Sequence, residues 1–190
     1  MLDSFREKLN SIIDYDFVER REGITDKEIR GLVSKYELNV SDEYIYYLRI
    51  SNTRYIKDNY LYKPSYDVWE SVKQVTFRVS CLFGLDDNVG NLEDEWSSHE
   101  DILPNNLLPI GDMMCGNLVC MDKVTGEIYL WYHDEIEEKS ALLVDYSFAQ
   151  FIMNIDYYED TNVENKSVKL NFSSELDVAI RKAAEKYRNR

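Results

Sequence analysis

The chain has 190 residues, a length suited to one domain whose core needs neither disulfides nor a metal, and 44% of them are hydrophobic, an ordinary globular share. Its formal net charge of −14 repels nucleic acid and anionic membrane and attracts basic proteins. Residues 1–10 are mixed in charge with no apolar stretch behind them, and no apolar run nears the length of a membrane span, so neither a secretory leader nor a membrane helix is expected.

In chain order, residues 2–22 read as an amphipathic helix, with Phe5, Leu9, Ile12, Ile13 and Phe17 near helical spacing and Gly23 to end it. Thr25-x-x-Glu28 is a capping box opening a second helix with an apolar face of Ile29, Leu32, Val33 and Tyr36. Ser41 caps a short third helix whose first turn holds Asp42 and Glu43, where carboxylates suit the helix dipole. The middle of the chain turns to β. Over residues 74–85, Val75, Phe77, Val79, Cys81 and Phe83 alternate with Gln74, Thr76, Arg78 and Ser80, which predicts a strand with one dry face and places Cys81 in the core. Residues 91–103 are polar and acidic around Trp96 and fit either a short exposed helix or an ordered loop.

Residues 117–122 and 127–133 are two β-rich runs joined by Lys123-Val124-Thr125-Gly126, a hairpin connection. Residues 141–144 form a further short strand. Ser147-x-x-Gln150 caps a helix with Phe148, Phe151, Ile152 and Ile155 on its apolar face. A strand near residues 168–172 and a final helix behind Ser173 or Ser174, with a basic end, complete the chain. Helices at both ends around antiparallel hairpins predict an α+β fold in one domain over residues 1–190: a twisted, mostly antiparallel sheet with helices packed mainly on one face.

No constellation for catalysis or metal binding stands out. The three cysteines, Cys81, Cys115 and Cys120, are odd in number and lack C-x-x-C spacing, which predicts reduced thiols in a cytoplasmic protein. With only two histidines, His99 and His133, no zinc pattern forms, and no P-loop, dinucleotide or G-x-S-x-G motif is present. His133-Asp134 is a weak acid–base candidate, because side chains of neighbouring strand residues point apart. No cofactor or metal is expected.

The most specific pattern runs Leu107-Leu108-Pro109-Ile110-Gly111-Asp112, then Gly116-Asn117-Leu118-Val119-Cys120-Met121-Asp122, then Thr125-Gly126-Glu127-Ile128-Tyr129-Leu130-Trp131-Tyr132-His133-Asp134, and after a gap Ser147-Phe148-Ala149-Gln150-Phe151-Ile152. In order and spacing this resembles the SUKH superfamily, or Smi/Knr-type domain. Ile29, Tyr36, Leu38 and residues 44–48 resemble its entry segment. The resemblance covers about residues 25–155 and leaves residues 161–190 as an extension. Val40 stands where the family has a proline, and Ser51-Asn52-Thr53 where it has a glycine-rich turn. Physics gives the motif residues Gly111, Gly116, Asp122, Gly126, Trp131, His133, Asp134 and Phe148 mainly structural work.

What the resemblance implies is a non-enzymatic protein-binding domain, in bacteria commonly the immunity protein of a polymorphic toxin, many such toxins being nucleases. A regulatory or scaffold domain, as in fungal members, and an enzyme are the alternatives. Charge agrees independently with the first. From Val79 to Asp122 there is no Lys or Arg, while Asp86, Asp87, Glu93, Asp94, Glu95, Glu100, Asp101, Asp112 and Asp122 all fall there. Single-sign clustering of this kind suits association better than stability. The expected partner-facing residues are Asp86, Asp87, Glu93, Asp94, Glu95, Glu100 and Asp101, with Trp96 as an apolar anchor, and the expected partner is a basic protein toxin, with a nuclease domain, rather than nucleic acid or membrane.

Overall fold

A computed structural model describes residues 2–15, 24–50, 54–64, 76–85, 90–135 and 140–159. All its named elements lie in one compact unit, Met1–Tyr158; Glu159–Arg190 group separately, and the strand and helix expected there fall outside the described residues, as do Asp86 and Asp87. The elements run α1 (Leu2–Ile12), α2 (Asp26–Lys35), α3 (Asp42–Ile50), β1 (Arg54–Tyr55), β2 (Tyr60–Tyr62), β3 (Val79–Leu82), α4 (Leu92–His99), β4 (Leu107–Met113), β5 (Leu118–Asp122), β6 (Ile128–Trp131), β7 (Ala141–Asp145), α5 (Phe148–Met153) and β8 (Ile155–Tyr157).

Six strands form an antiparallel sheet in the order β1-β3-β4-β5-β6-β7, and β2 pairs with β8 in a second, two-stranded sheet. The fold is α+β. Register fixes which side chains share a face. Asp112 pairs with Leu118, Leu118 with Trp131, and Trp131 with Ala141, so these four form one row across the sheet. The His99 ring of α4 meets Trp131 edge-on at 6.3 Å, which sets α4 over that row. Met121 has the opposite parity on β5 and borders a small cleft with Phe148 of α5 and Ser41 before α3. Phe148 also packs against Phe5 of α1 and Tyr44 and Tyr47 of α3. Three helices therefore gather on one face around Phe148, and α4 lies on the other.

Local chemistry sets the element ends. At Thr25 both arms of the capping box form, the Thr25 hydroxyl accepting from the Glu28 N–H and the Glu28 carboxylate accepting from the Thr25 N–H. The Ser147 hydroxyl accepts from the Gln150 N–H at the start of α5, and the Ser41 hydroxyl from the Tyr44 N–H. Gly111 is needed for space: a β-carbon there would stand 2.7 Å from the Cys81 carbonyl oxygen on β3.

Four expectations need correction. Helix α1 stops at Ile12, not near residue 22, because the Asp14 N–H donates to the Tyr55 carbonyl at 2.8 Å and Ile13 bridges Ile56; Phe17 and Gly23 lie outside the described residues. Of the strand predicted over 74–85, residues 74 and 75 lie outside the described residues and the strand itself runs Val79–Leu82; it has two covered faces rather than one, since Cys81, Leu82 and Phe83 are all buried, and its register shifts between Val79 and Cys81. Ile155 belongs to β8, since Asn154 ends α5 and the chain turns to pair with Tyr62. His133 and Asp134 sit in a turn beyond β6, not in a strand, so their side chains meet: His133 Nε2 is 2.9 Å from Asp134 Oδ1.

Candidate functional site: an acidic helix and the cleft beside it

Helix α4 carries four of the eight predicted partner-facing residues, Glu93, Asp94, Glu95 and Trp96. Asn91 caps it, its side-chain oxygen accepting from the Glu93 and Asp94 N–H groups, and Leu92 is its buried foot. Asp94 is exposed, as are Glu100 and Asp101 just past the helix end. Glu93 is not an open charge. Its carboxylate takes Lys35 Nζ at 2.6 Å and the Tyr36 hydroxyl at 3.5 Å, and the hydrogen bond to Glu93, followed by that to Tyr36, pushes the Lys35 ammonium up to about 12. Trp96 is half-buried between two neighbours: it meets Tyr36 edge-on at 5.7 Å, and Lys123 Nζ stands 3.7 Å from its ring centroid. The stretch that lacks cations in sequence thus receives two in space, one from α2 and one from the β5–β6 hairpin.

Beneath α4 lies a partly buried titratable group. Glu95 is raised above the usual carboxylate range by burial, with His99 opposing and Asp112 and Asp94 adding to the rise. Asp112 is likewise raised by burial, against the pull of the Ser80 hydroxyl and of His99. Burial also pushes the Cys81 thiol up to about 12 and raises the Cys120 thiol, which makes both poor nucleophiles. Among the described residues, no three His, Cys, Asp or Glu side chains come together as a metal site.

The hairpin after β5 depends on Asp122. Its Oδ1 accepts from the Val124 and Thr125 N–H groups at 2.8 Å each, and its Oδ2 from the Asn106 amide at 2.5 Å. Burial raises this carboxyl, but the bonds from Thr125, Asn106 and Val124 outweigh it and hold it below its ordinary value. Gly126 closes the turn at φ +77°. Lys123, delivered by this turn, bonds the Asn105 carbonyl at 2.9 Å while it covers Trp96.

Four further predicted residues, Glu100, Asp101, Trp131 and His133, meet at an open cleft of about 610 Å³, with Ile102, Asn105, Glu135 and Ser140 also in its lining, whereas Phe148 borders the separate small cleft beside Ser41. Trp131 forms part of its wall and is only 4% exposed. Its indole Nε1–H is shielded from solvent and has no acceptor. His133 is held in place: Asn117 Oδ1 lies 3.1 Å from Nδ1 and accepts the His133 backbone N–H at 3.3 Å, and Asp134 faces Nε2. Gly116 passes beside the same ring, on the single turn (Met114–Gly116) that joins β4 to β5. The predicted partner-facing residues among those described therefore fall into two neighbouring groups, Glu93 to Trp96 on α4 and Glu100 with Asp101 at the cleft. Glu135 and Ile102 join the second group unannounced. Glu135 lies outside the residues 79–122 stretch, and only the turn after β6 brings it near.

The cleft and α4 both lie within the part of the chain that matches a known family. Residues 23–154 match the SMI1 / KNR4 family (SUKH-1). The chain belongs to that family. Its SUKH-1 relatives include immunity proteins of toxin systems and are generally non-enzymatic. Over 96 residues the chain is 29% identical to the SPbeta prophage-derived uncharacterized protein YokK of Bacillus subtilis (strain 168), and the match covers 50% of each chain. This SUKH-1 chain thus spans about half the length of that curated relative. No described helix is long and apolar enough to cross a membrane.

Proposed function

We propose that this SUKH-1 protein is an immunity protein that binds a basic protein toxin, with a nuclease domain, and neutralises it by occupying its surface in the cytoplasm, without catalysis of its own. The observation that carries this reading is the acidic cleft: Glu100, Asp101 and Glu135 line one concavity with the family residues Trp131 and His133, on a chain of net charge −14. A nuclease must bind phosphate, so its working surface is positive, and an acidic protein both meets that surface and speeds encounter with it. His133 is engaged through both ring nitrogens by Asn117 and Asp134, an arrangement that suits a fixed structural ring better than a free base.

The test is co-expression. The C-terminal domain of a large secreted protein encoded beside this chain is induced in a host with and without the chain. Growth restored by the chain, with a stoichiometric complex of the two purified proteins, is the expected result. Unrelieved toxicity in cells that hold abundant folded chain would refute the reading.

A further inference from the structure

The α4 face and the cleft are both acidic, but they differ in what is already bound to them. On α4, Glu93 is taken by Lys35 and Trp96 is covered by Lys123. The cleft has no Lys or Arg among its described lining residues. Its one chargeable nitrogenous side chain, His133, already faces Asp134 and Asn117. Glu100, Asp101 and Glu135 are all exposed. Two features of the cleft are apolar or unsatisfied rather than acidic. Ile102 stands 59% exposed at the wall, and Trp131, almost wholly buried, has an indole N–H with no acceptor. Buried donors are nearly always paired in folded proteins. The Trp131 donor is closed to solvent where the ring now stands, so an entering acceptor gains this bond only as the ring turns toward the cleft.

We infer that this cleft, rather than the outer face of α4, is the primary docking site of the partner, and that it takes an extended segment bearing lysine or arginine. The cationic side chain lies among Glu100, Asp101 and Glu135, an aliphatic stem rests on Ile102, and a main-chain carbonyl of the same segment accepts from Trp131 Nε1 once the indole ring turns toward it. The inference rests on the reading of the protein as a binder of basic proteins. Charge alone would accept any polycation. The indole donor and Ile102 ask for a peptide backbone and an apolar stem as well, so the chemistry fits a protein segment and not a polyamine.

The experiment uses the full chain labelled with ¹⁵N and two synthetic probes: a short blocked peptide, acetyl-Gly-Arg-Leu-Arg-Gly-amide, and spermidine. The indole resonance of Trp131 is identified by its loss in Trp131→Phe. Expected is a saturable shift of that resonance and of the amides of residues 100–105 with the peptide. Affinity should fall by about tenfold or more in the triple variant Glu100→Gln, Asp101→Asn, Glu135→Gln, and also as salt rises. Three results would each overturn the inference: no saturable binding, shifts confined to Asp94, Ser97 and Ser98 on α4, or spermidine reproducing the peptide's shifts at equal concentration. All three neutralised residues are exposed, so an unchanged urea midpoint certifies the fold of the variant. A triple variant that protects toxin-expressing cells as well as the parent does would refute the cleft and leave the immunity reading standing. Failure of the parent to protect would do the reverse, since the peptide titration would still report on the cleft.

Discussion

Truncating Trp131 tests whether this residue is core, site, or both. It is 4% exposed, sits in the row between Leu118 and Ala141, and meets the His99 ring at 6.3 Å. Replacing it with alanine removes roughly 150 Å² of buried apolar area, which at about 25 cal/mol per Å² costs about 4 kcal/mol. Against this stands the unpaired indole N–H, whose burial costs about 1–3 kcal/mol that truncation relieves. The net expectation for Trp131→Ala is a loss of about 2 kcal/mol. Trp131→Phe keeps a ring and drops the orphan donor, so it should fall within about 1 kcal/mol of the parent. Urea unfolding followed by far-ultraviolet circular dichroism is the suitable assay, because the variant removes a fluorophore. With a slope of about 2 kcal/mol/M, the alanine midpoint should drop by about 1 M. An alanine variant as stable as the parent would make Trp131 a surface residue. A phenylalanine variant as damaged as the alanine one would mean that the indole N–H is paired in solution, and the argument from the orphan donor would fail with it.

Tyr62→Phe should cost about 2 kcal/mol. The Tyr62 hydroxyl donates to the carboxyl of Asp145, which is 0% exposed, at 2.7 Å, and the substitution takes this donor from a buried charged group. The melting temperature should fall by about 4–8 °C, and an unchanged melt would refute the claim that this bond helps tie β2 to β7. Asp122→Ala should lose about 1–3 kcal/mol at pH 7 by leaving the Val124 and Thr125 N–H groups without their acceptor. Because the folded carboxyl is held below its ordinary 3.8, the stability it confers is present above that pH and is lost as pH falls through the lower folded value. The gap between parent and variant should therefore close in strong acid, and a gap that stays constant down to pH of about 2 would contradict the assignment.

What could be read in the chain and what could not divides along local and non-local lines. The caps at Thr25, Ser41 and Ser147 are contained within four residues, so their chemistry is visible before any fold exists. The β5–β6 hairpin is equally local. Strand β4 was legible only as a family motif. All its residues but Asp112 are buried, so it shows no alternation, and Pro109 and Gly111 argue against a strand. The structure resolves the conflict with a register shift between those two residues, where the ladder with β5 is interrupted. Strands β1, β2 and β8 are two or three residues long and exist only because distant partners pair with them. The Asp145–Tyr62 bond, the row from Asp112 to Ala141 and the cleft itself are likewise products of topology.

Charge shows the same division at the site. A tally along the chain stops at Asp122 and finds a run without a cation, yet the next residue is Lys123, and the turn that Asp122 builds folds it back over Trp96. Lys35, far upstream, arrives on Glu93 because α2 ends near α4. Exposed pairs of this kind add little stability. They do cancel much of the local field, since each cation sits well within a Debye length of the carboxylates it faces. A basic partner of the kind proposed would therefore not meet the uniform acidic strip that the sequence suggests. It would meet a partly neutralised helix and, past its C-terminal end, Glu100, Asp101 and Glu135 around a cleft where no described Lys or Arg lies. A concavity lined by carboxylates focuses their field and steers an approaching cation into it rather than across the surface, which is why the proposed docking site lies in the cleft and not along the longest acidic run.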